Sequence, residues 1–289
     1  MSSSDRDPNH PPRPSVGRIA GELLLTVGVV LLLFVIYELS WTNITSARLQ
    51  QEATAGLEEQ WASRPPSDVG DEPVPPPAPE PGQPFARLHL PTLGQDAQYT
   101  VIEGTGEEDL RTGPGHYPDT QLPGERGNLA LAGHRNGSGA VFQHIDRLRS
   151  CDAVVVETET QWLTYRVLPF SEQSQQRRDE AANCLPPELV QRIAVGDYSH
   201  VPGQHITTPD AIEVISPMPG APWPDDDEPD TPAVDGHAAA DPSYPMLERL
   251  VTLTTCHPQF SNTERLIVHG VLAETTSKAD GQLPDALKE

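Results

Sequence analysis

A cysteine closing one predicted strand and an arginine opening the next carry the clearest chemical signal in this chain. Residues 250–256 read Leu-Val-Thr-Leu-Thr-Thr-Cys, a run rich in strand formers, and Pro258 bars its continuation as a central strand. Cys256 therefore stands beside a loop, where a thiol can be reached. Arg265, nine positions on, brings a permanent charge and a fork of donors to the start of a second strand, 266–272. A thiol attacks an amide carbonyl only as the thiolate, of which little exists at neutral pH without help from a neighbouring base or cation. His134, after Gly133 at the end of a predicted buried strand, is the candidate partner. It would protonate a leaving amine and later deprotonate an incoming one, while Arg265 would hold substrate backbone or stabilise an oxyanion.

Other histidines compete for that role. His257 adjoins Cys256, so in an extended chain its side chain points to the opposite face. His269 lies four residues beyond Arg265 on the same strand face, and His116 precedes Tyr117. Arg126 and Arg135 read as surface or structural ion partners.

The ordered blocks resemble the sortases, and most closely the class E sortases of actinobacteria. The resemblance rests on Thr252-Leu253-Thr254-Thr255-Cys256 with Arg265 downstream, and on His257-Pro258-Gln259-Phe260-Ser261. Upstream it continues through Gly115-His116-Tyr117-Pro118, Pro123-Gly124-Glu125 and Ala132-Gly133-His134-Arg135, and covers residues 84–170 and 208–274. It implies catalytic Cys256, His134 and Arg265, with Tyr117 and Thr255 as substrate-binding residues. The implied reaction is cysteine transpeptidation at the Thr–Gly bond of an LAXTG- or LPXTG-type sorting signal. The implied partners are secreted proteins bearing such C-terminal signals and an amine acceptor, either a peptidoglycan precursor or a pilin lysine. That chemistry requires no metal and no organic cofactor. A pilin-polymerising enzyme and a silent scaffold on the same fold are the alternatives. An L,D-transpeptidase is disfavoured, because its Ser-x-Gly-Cys signature is missing.

Composition narrows the setting. The formal net charge of −23 falls almost wholly after residue 40, and only Lys278 and Lys288 are lysines, so nucleic acid is excluded as a partner. Residues 19–39 are apolar apart from Glu22 and Glu38 and long enough to span a bilayer. Arg6, Arg13 and Arg18 precede them, which places the N-terminus (1–18) in the cytoplasm and makes the span an uncleaved signal anchor. Residues 40–84 read as an extracellular stalk, polar and weakly helical over 43–62 and proline-rich from Arg64 onward, leading away from the membrane. With the catalytic domain outside the cell, Cys151 and Cys184 are free to pair as a disulfide, leaving Cys256 as the odd thiol.

Residues 85–274 form the expected catalytic domain, mainly β, with short strands at 85–90, 98–103, 128–133, 153–158, 162–168, 212–215, 250–256 and 266–272. Turns rich in Gly, Pro and Asp separate them, which points to a closed barrel of about eight strands with short helices, as the sortase resemblance also implies. A short helix is expected over 141–148 and another over 186–195. Two insertions, 171–207 and 217–245, interrupt the pattern; the second is acidic and proline-rich and lacks the spacing of a calcium loop. Residues 275–289 are expected to form a flexible tail.

Overall fold

The computed structural model describes residues 15–63, 70–221, 247–279 and 281–288. The cytoplasmic tail up to residue 14 and most of the 217–245 insertion, including Asp225 to Glu228, lie outside them. The chain divides into two units, residues 1–42 and 43–289. Helix α1 (Val16–Ala62) contributes to both. In the first unit, the stretch Val16–Val35 is long and apolar enough to cross a membrane. Its polar Glu22 is tied back one turn, where Arg18 Nε donates to Glu22 Oε1 at 3.0 Å.

In the second unit the β-branched runs form strands. These are β1 (Pro84–His89), β2 (Gln98–Glu103), β3 (Gly115–His116), β4 (Gly127–Ala132), β5 (Ala153–Glu157), β6 (Gln161–Val167), β7 (Gln204–Thr207), β8 (Arg249–His257) and β9 (Glu264–Ser277). The hydrogen-bonded order is β6-β5-β1-β2-β3-β4-β8-β9, and β9 pairs back onto β6 to close an eight-stranded barrel. β7 adds to the free edge of β9 over Leu266–Val268 and Arg265, outside the closed ring. The interior is filled by one residue in two from each strand, among them Leu129, Leu131, Val251, Leu253, Leu266 and Val268. Burying these side chains, at roughly 1.5–3 kcal/mol each, drives the closure.

Because alternate residues face opposite sides, the outer face of β4, β8 and β9 carries Asn128, Leu250 and Val271 at one level and Ala132, Thr254 and Ile267 nearer the strand ends. The insertion covers the lower part of that face. Its helices α3 (Ser174–Ala182) and α4 (Pro187–Ala194) bring Ala181, Leu185, Leu189 and Ile193 against Leu250 and Val271. At its centre the buried Arg177 guanidinium donates to the carbonyls of Pro169, Ile193, Tyr198 and Val201. Cys151 and Cys184 form a disulfide that joins the insertion to the barrel. Helix α2 (Glu107–Thr112) lies between β2 and β3.

Several expectations change. Residues 212–215 form a 3-10 turn rather than a strand, because Asn128 Nδ2 takes the carbonyls of Val214 and Ser216 and ties the segment across β4. The insertion 171–207 ends in β7, whose edge pairing with β9 has no periodic signal in four residues. The 141–148 helix contracts to one 3-10 turn, Ile145–Arg147. The 40–84 segment is not a free stalk: its helical part, 43–62, docks through Gln50 and Thr54 onto Thr100 with Leu57 fully buried, and Gln161 Nε2 donates to the carbonyls of Gly70 and Glu72 in the following segment. The expected tail docks as well, since β9 runs to Ser277 and Ala286 packs against Ala153, Val155 and Trp162.

Candidate active site

Strand register brings three side chains to one edge of the barrel. β4 and β8 are parallel, with Ala132 opposite Thr254, and Gly133 N extends the ladder to Thr254 O at 3.0 Å. Two residues beyond that pair stand His134 and Cys256. β8 and β9 are antiparallel, with Cys256 opposite Arg265. Alternation, carried from β4 through Gly133, assigns His134, just past the strand end, to the same outer face and level as Cys256 on β8 and Arg265 on β9. Cys256 is a free, half-buried thiol.

Each is held by its surroundings. A side chain at Gly133 would run into the Phe142 ring, whose nearest atom is 2.5 Å from the position a Cβ would take, so the ring packs directly under the chain entering His134. Phe142 N donates to His134 O at 3.0 Å and fixes the loop on the other side. Burial lowers the pKa of the imidazole below its ordinary value; Glu107 opposes this and Arg111 adds to it, both from α2. Arg265 Nη1 donates to Asn262 O at 3.0 Å and Glu264 O at 2.9 Å, which anchors the guanidinium through one nitrogen. Its Nε and Nη2 carry no hydrogen bond among the described residues.

The other expected site residues separate. Tyr117 reaches the same face, with its hydroxyl 3.2 Å from Thr254 Oγ1, two residues from the thiol. Thr255 does not reach it. Its buried side chain points the other way and donates to Gly133 O at 2.7 Å, which ties the His134 strand end to the Cys256 strand end. It positions the site and does not line it. His257 faces away from the thiol, with Nδ1 accepting from Arg135 Nη1 at 2.7 Å. His269 is buried beneath the insertion and bonded to Thr252 Oγ1 at 2.8 Å.

Arg135 is a structural ion partner and not a surface one. It is 5% exposed, its Nη2 lies 3.5 Å from Asp146 Oδ2, and its Nη1 also donates to Cys256 O at 3.4 Å, a tie to the cysteine strand that sequence reasoning did not foresee. Consecutive residues of an extended chain project to opposite sides. A His-Arg pair at a strand end therefore sends one side chain toward the reactive face and the other behind it, and this was the available signal. Arg126, by contrast, is an exposed partner of Leu247 O. Among the described residues no His, Cys, Asp and Glu group has metal-binding geometry.

Residues 88–273 match the family model for the sortase domain. The chain is similar to sortase SrtE1 of Streptomyces coelicolor, with 30% identity over 279 residues, covering 93% of this chain and 60% of that protein. It thus spans about three fifths of that relative's length. Sortase SrtE2 of the same organism is 32% identical over 186 residues, covering 62% of this chain and 72% of that one. The solved SrtF sortase from Corynebacterium diphtheriae is 47% identical and superposes with a TM-score of 0.65, over 77% of this chain and 100% of that one.

Proposed function

The chain belongs to the sortase family, whose members are cysteine transpeptidases, and from that premise we propose that it is a membrane-anchored transpeptidase acting through Cys256, His134 and Arg265. The observation that carries the proposal is the register that sets Ala132 of β4 opposite Thr254 and Cys256 opposite Arg265, with His134 two residues past the end of β4. His134 takes the Cys256 thiol proton, and the thiolate attacks the carbonyl carbon of the Thr–Gly bond in an LAXTG- or LPXTG-type signal on a secreted protein. The resulting oxyanion takes hydrogen bonds from Arg265, whose unbonded nitrogens suit that role. Collapse breaks the C–N bond, His134 delivers its proton to the leaving glycine amine, and a thioester remains on Cys256. An acceptor amine, from a peptidoglycan precursor or a pilin lysine, then attacks the thioester. His134 takes the amine proton and the thiolate departs. Every step is a proton or acyl transfer. Tyr117, beside Thr254, borders the path of the signal peptide toward the thiol.

The cell-membrane setting follows the same reasoning. The apolar helix suits a single-pass anchor, and Arg6, Arg13 and Arg18 favour a cytoplasmic N-terminus with the barrel outside. The Cys151–Cys184 disulfide supports an oxidising, extracytoplasmic compartment for the barrel.

The direct test mixes the detergent-solubilised chain with an LAXTG peptide and an amine acceptor, beside Cys256→Ala. Mass spectrometry is expected to find the peptide joined to the amine and a thioacyl adduct on Cys256, both lost in the variant. Transfer that persists in Cys256→Ala would sink the assignment, and LPXTG in place of LAXTG maps the signal.

A further inference from the structure

The part of α1 within the second unit is fastened to the barrel by a single stripe: Ser46, Gln50, Thr54, Leu57 and Trp61, at spacings of three and four residues. The far end of the stripe meets the outside of the barrel, where Glu58, beside it, pairs with Arg87 at 2.8 Å and Trp61 lies under Arg87 and Lys278. The near end meets the loop that follows His134 and the end of α2, whose charges act on its imidazole.

Gln50 closes an open sheet edge. β2 pairs with β3 only at Ile102 and Glu103, which leaves the main chain of Thr100 exposed on that side. The Gln50 amide takes both groups, Nε2 donating to Thr100 O at 2.9 Å and Oε1 accepting from Thr100 N at 2.8 Å. The same amide packs against Gly113, the residue that ends α2. Helix α2 carries Glu107 and Arg111, the charges that bear on the His134 imidazole.

Ser46 meets the other segment. It is 2% exposed, and its Cβ lies 3.3 Å from where a side chain would begin at Gly139. Gly139 belongs to four consecutive residues in the left-handed region, Gly137, Ser138, Gly139 and Ala140, with φ of 64, 42, 76 and 43°. That conformation costs roughly 1–2 kcal/mol at each of Ser138 and Ala140. The loop connects Arg135 to Phe142, whose amide holds the His134 carbonyl. Ser46 Oγ has no hydrogen-bond partner among the described residues, so its contribution is its shape against the loop.

We propose that residues 43–62 of α1 are a positioning element for His134, acting through Ser46 on the loop after it and through Gln50 on α2 beside it. This rests on His134 being the acid–base group of the transfer. An imidazole displaced by about 1 Å from a productive geometry loses on the order of 100-fold in rate, so a helix that braces that loop and α2 sets the rate without touching substrate.

The test compares two ends of one stripe in the full chain in detergent. Transfer of the LAXTG peptide to the amine is measured from pH 5 to 9 for Ser46→Leu, Gln50→Leu, Glu58→Ala, Trp61→Ala and His134→Ala, with Tm for each. Ser46→Leu and Gln50→Leu are expected to lower kcat by about 10–100-fold, with a displaced acidic limb and KM within about twofold. Ser46→Ala, which keeps the Cβ contact, is expected to match the parent. Glu58→Ala and Trp61→Ala are expected to lower Tm and leave the profile in place. The proposal is overturned if the Ser46 and Gln50 variants lose Tm alone, or if all four variants change the profile alike. Should Gln50→Leu not fold, Ser46→Leu decides by the same readouts. Undiminished transfer by His134→Ala would instead bring down the reading on which the proposal rests.

Discussion

The two ends of β9 gather charge on opposite plans. At the Ser277 end, Glu157 is 5% exposed and surrounded: Lys278 Nζ donates at 2.8 Å, Arg87 Nη1 at 3.2 Å, and His89 Nε2 lies at 3.1 Å. Burial alone would raise its pKa, yet the bonds from His89 and Lys278 and the charges of Lys278 and Arg87 more than offset this and hold it below the ordinary value. The Trp61 and Trp162 rings lie 4.3 and 5.3 Å from Lys278 Nζ. At the Arg265 end the thiol is free, the imidazole is held toward its neutral form by burial, and the guanidinium is anchored through one nitrogen. A cluster that holds a fold together satisfies its charges from several sides. The cluster proposed to react keeps groups in reserve for atoms that arrive later.

Substitution at the two ends should therefore separate activity from stability. Arg265→Met is expected to lower kcat/KM by about 100–1,000-fold, or about 2.7–4 kcal/mol of transition-state stabilisation. Its urea midpoint should stay near that of the parent, because only two loop carbonyls lose a donor. Glu157→Ala is expected to do the reverse. It removes the carboxylate that Arg87, Lys278 and His89 share, leaves Arg87 its exposed partner Glu58 and Lys278 the Thr158 carbonyl, and should cost about 1–3 kcal/mol in urea unfolding, with kcat at 25 °C unchanged. If Arg265→Met unfolds as readily as Glu157→Ala, or Glu157→Ala slows transfer, the contrast between the two ends is wrong.

How much of this was legible depended on whether a local pattern carried it. The cysteine strand, the strand before His134 and the strand after Arg265 were readable because runs of Val, Leu, Thr and Ala end at Pro or Gly there. Their register was not, because the parallel pairing of β4 with β8 joins residues more than 120 positions apart. Residues 43–62 read as weakly helical, but their docking onto the barrel escaped notice for a different reason. The barrel-facing stripe begins with Ser46, Gln50 and Thr54, which bury hydrogen bonds and shape instead of apolar area, so hydrophobic periodicity is blind to its first half. Residues 212–215, Ile-Glu-Val-Ile, look like a strand by composition, but the Asn128 side chain claims Val214 and Ser216 carbonyls and leaves a turn. Thr255 shows the same limit on a smaller scale: the motif brought it near Cys256, and only alternation along β8 decided that it faces Gly133.

Midway along the outer face of β9, His269 offers a third case, polar and buried but neither reactive nor charged. Asn128 Nδ2 donates to Ser216 O, so its Oδ1 faces Thr252, whose hydroxyl donates at 2.7 Å. With its hydrogen committed, Thr252 Oγ1 can only accept from His269 Nδ1 at 2.8 Å, which places a proton on Nδ1. Burial, then the neighbouring His205 and His200, push its pKa down to about 3. The unfolded chain, with a histidine near 6.5, binds more protons across this interval, so stability is fully present above 6.5 and is lost as pH falls toward 3. The loss from His269 by pH 5 amounts to about 2 kcal/mol. Glu157 does not confuse the measurement, since its own loss begins only near its ordinary value of 4.5 and below. Urea unfolding at pH 7 and pH 5 should therefore show a smaller drop for His269→Gln, which keeps a donor for Thr252 and cannot be charged. An equal drop in parent and variant would mean that His269 accepts a proton in place, and that the middle of β9 resembles its reactive end more than its structural one.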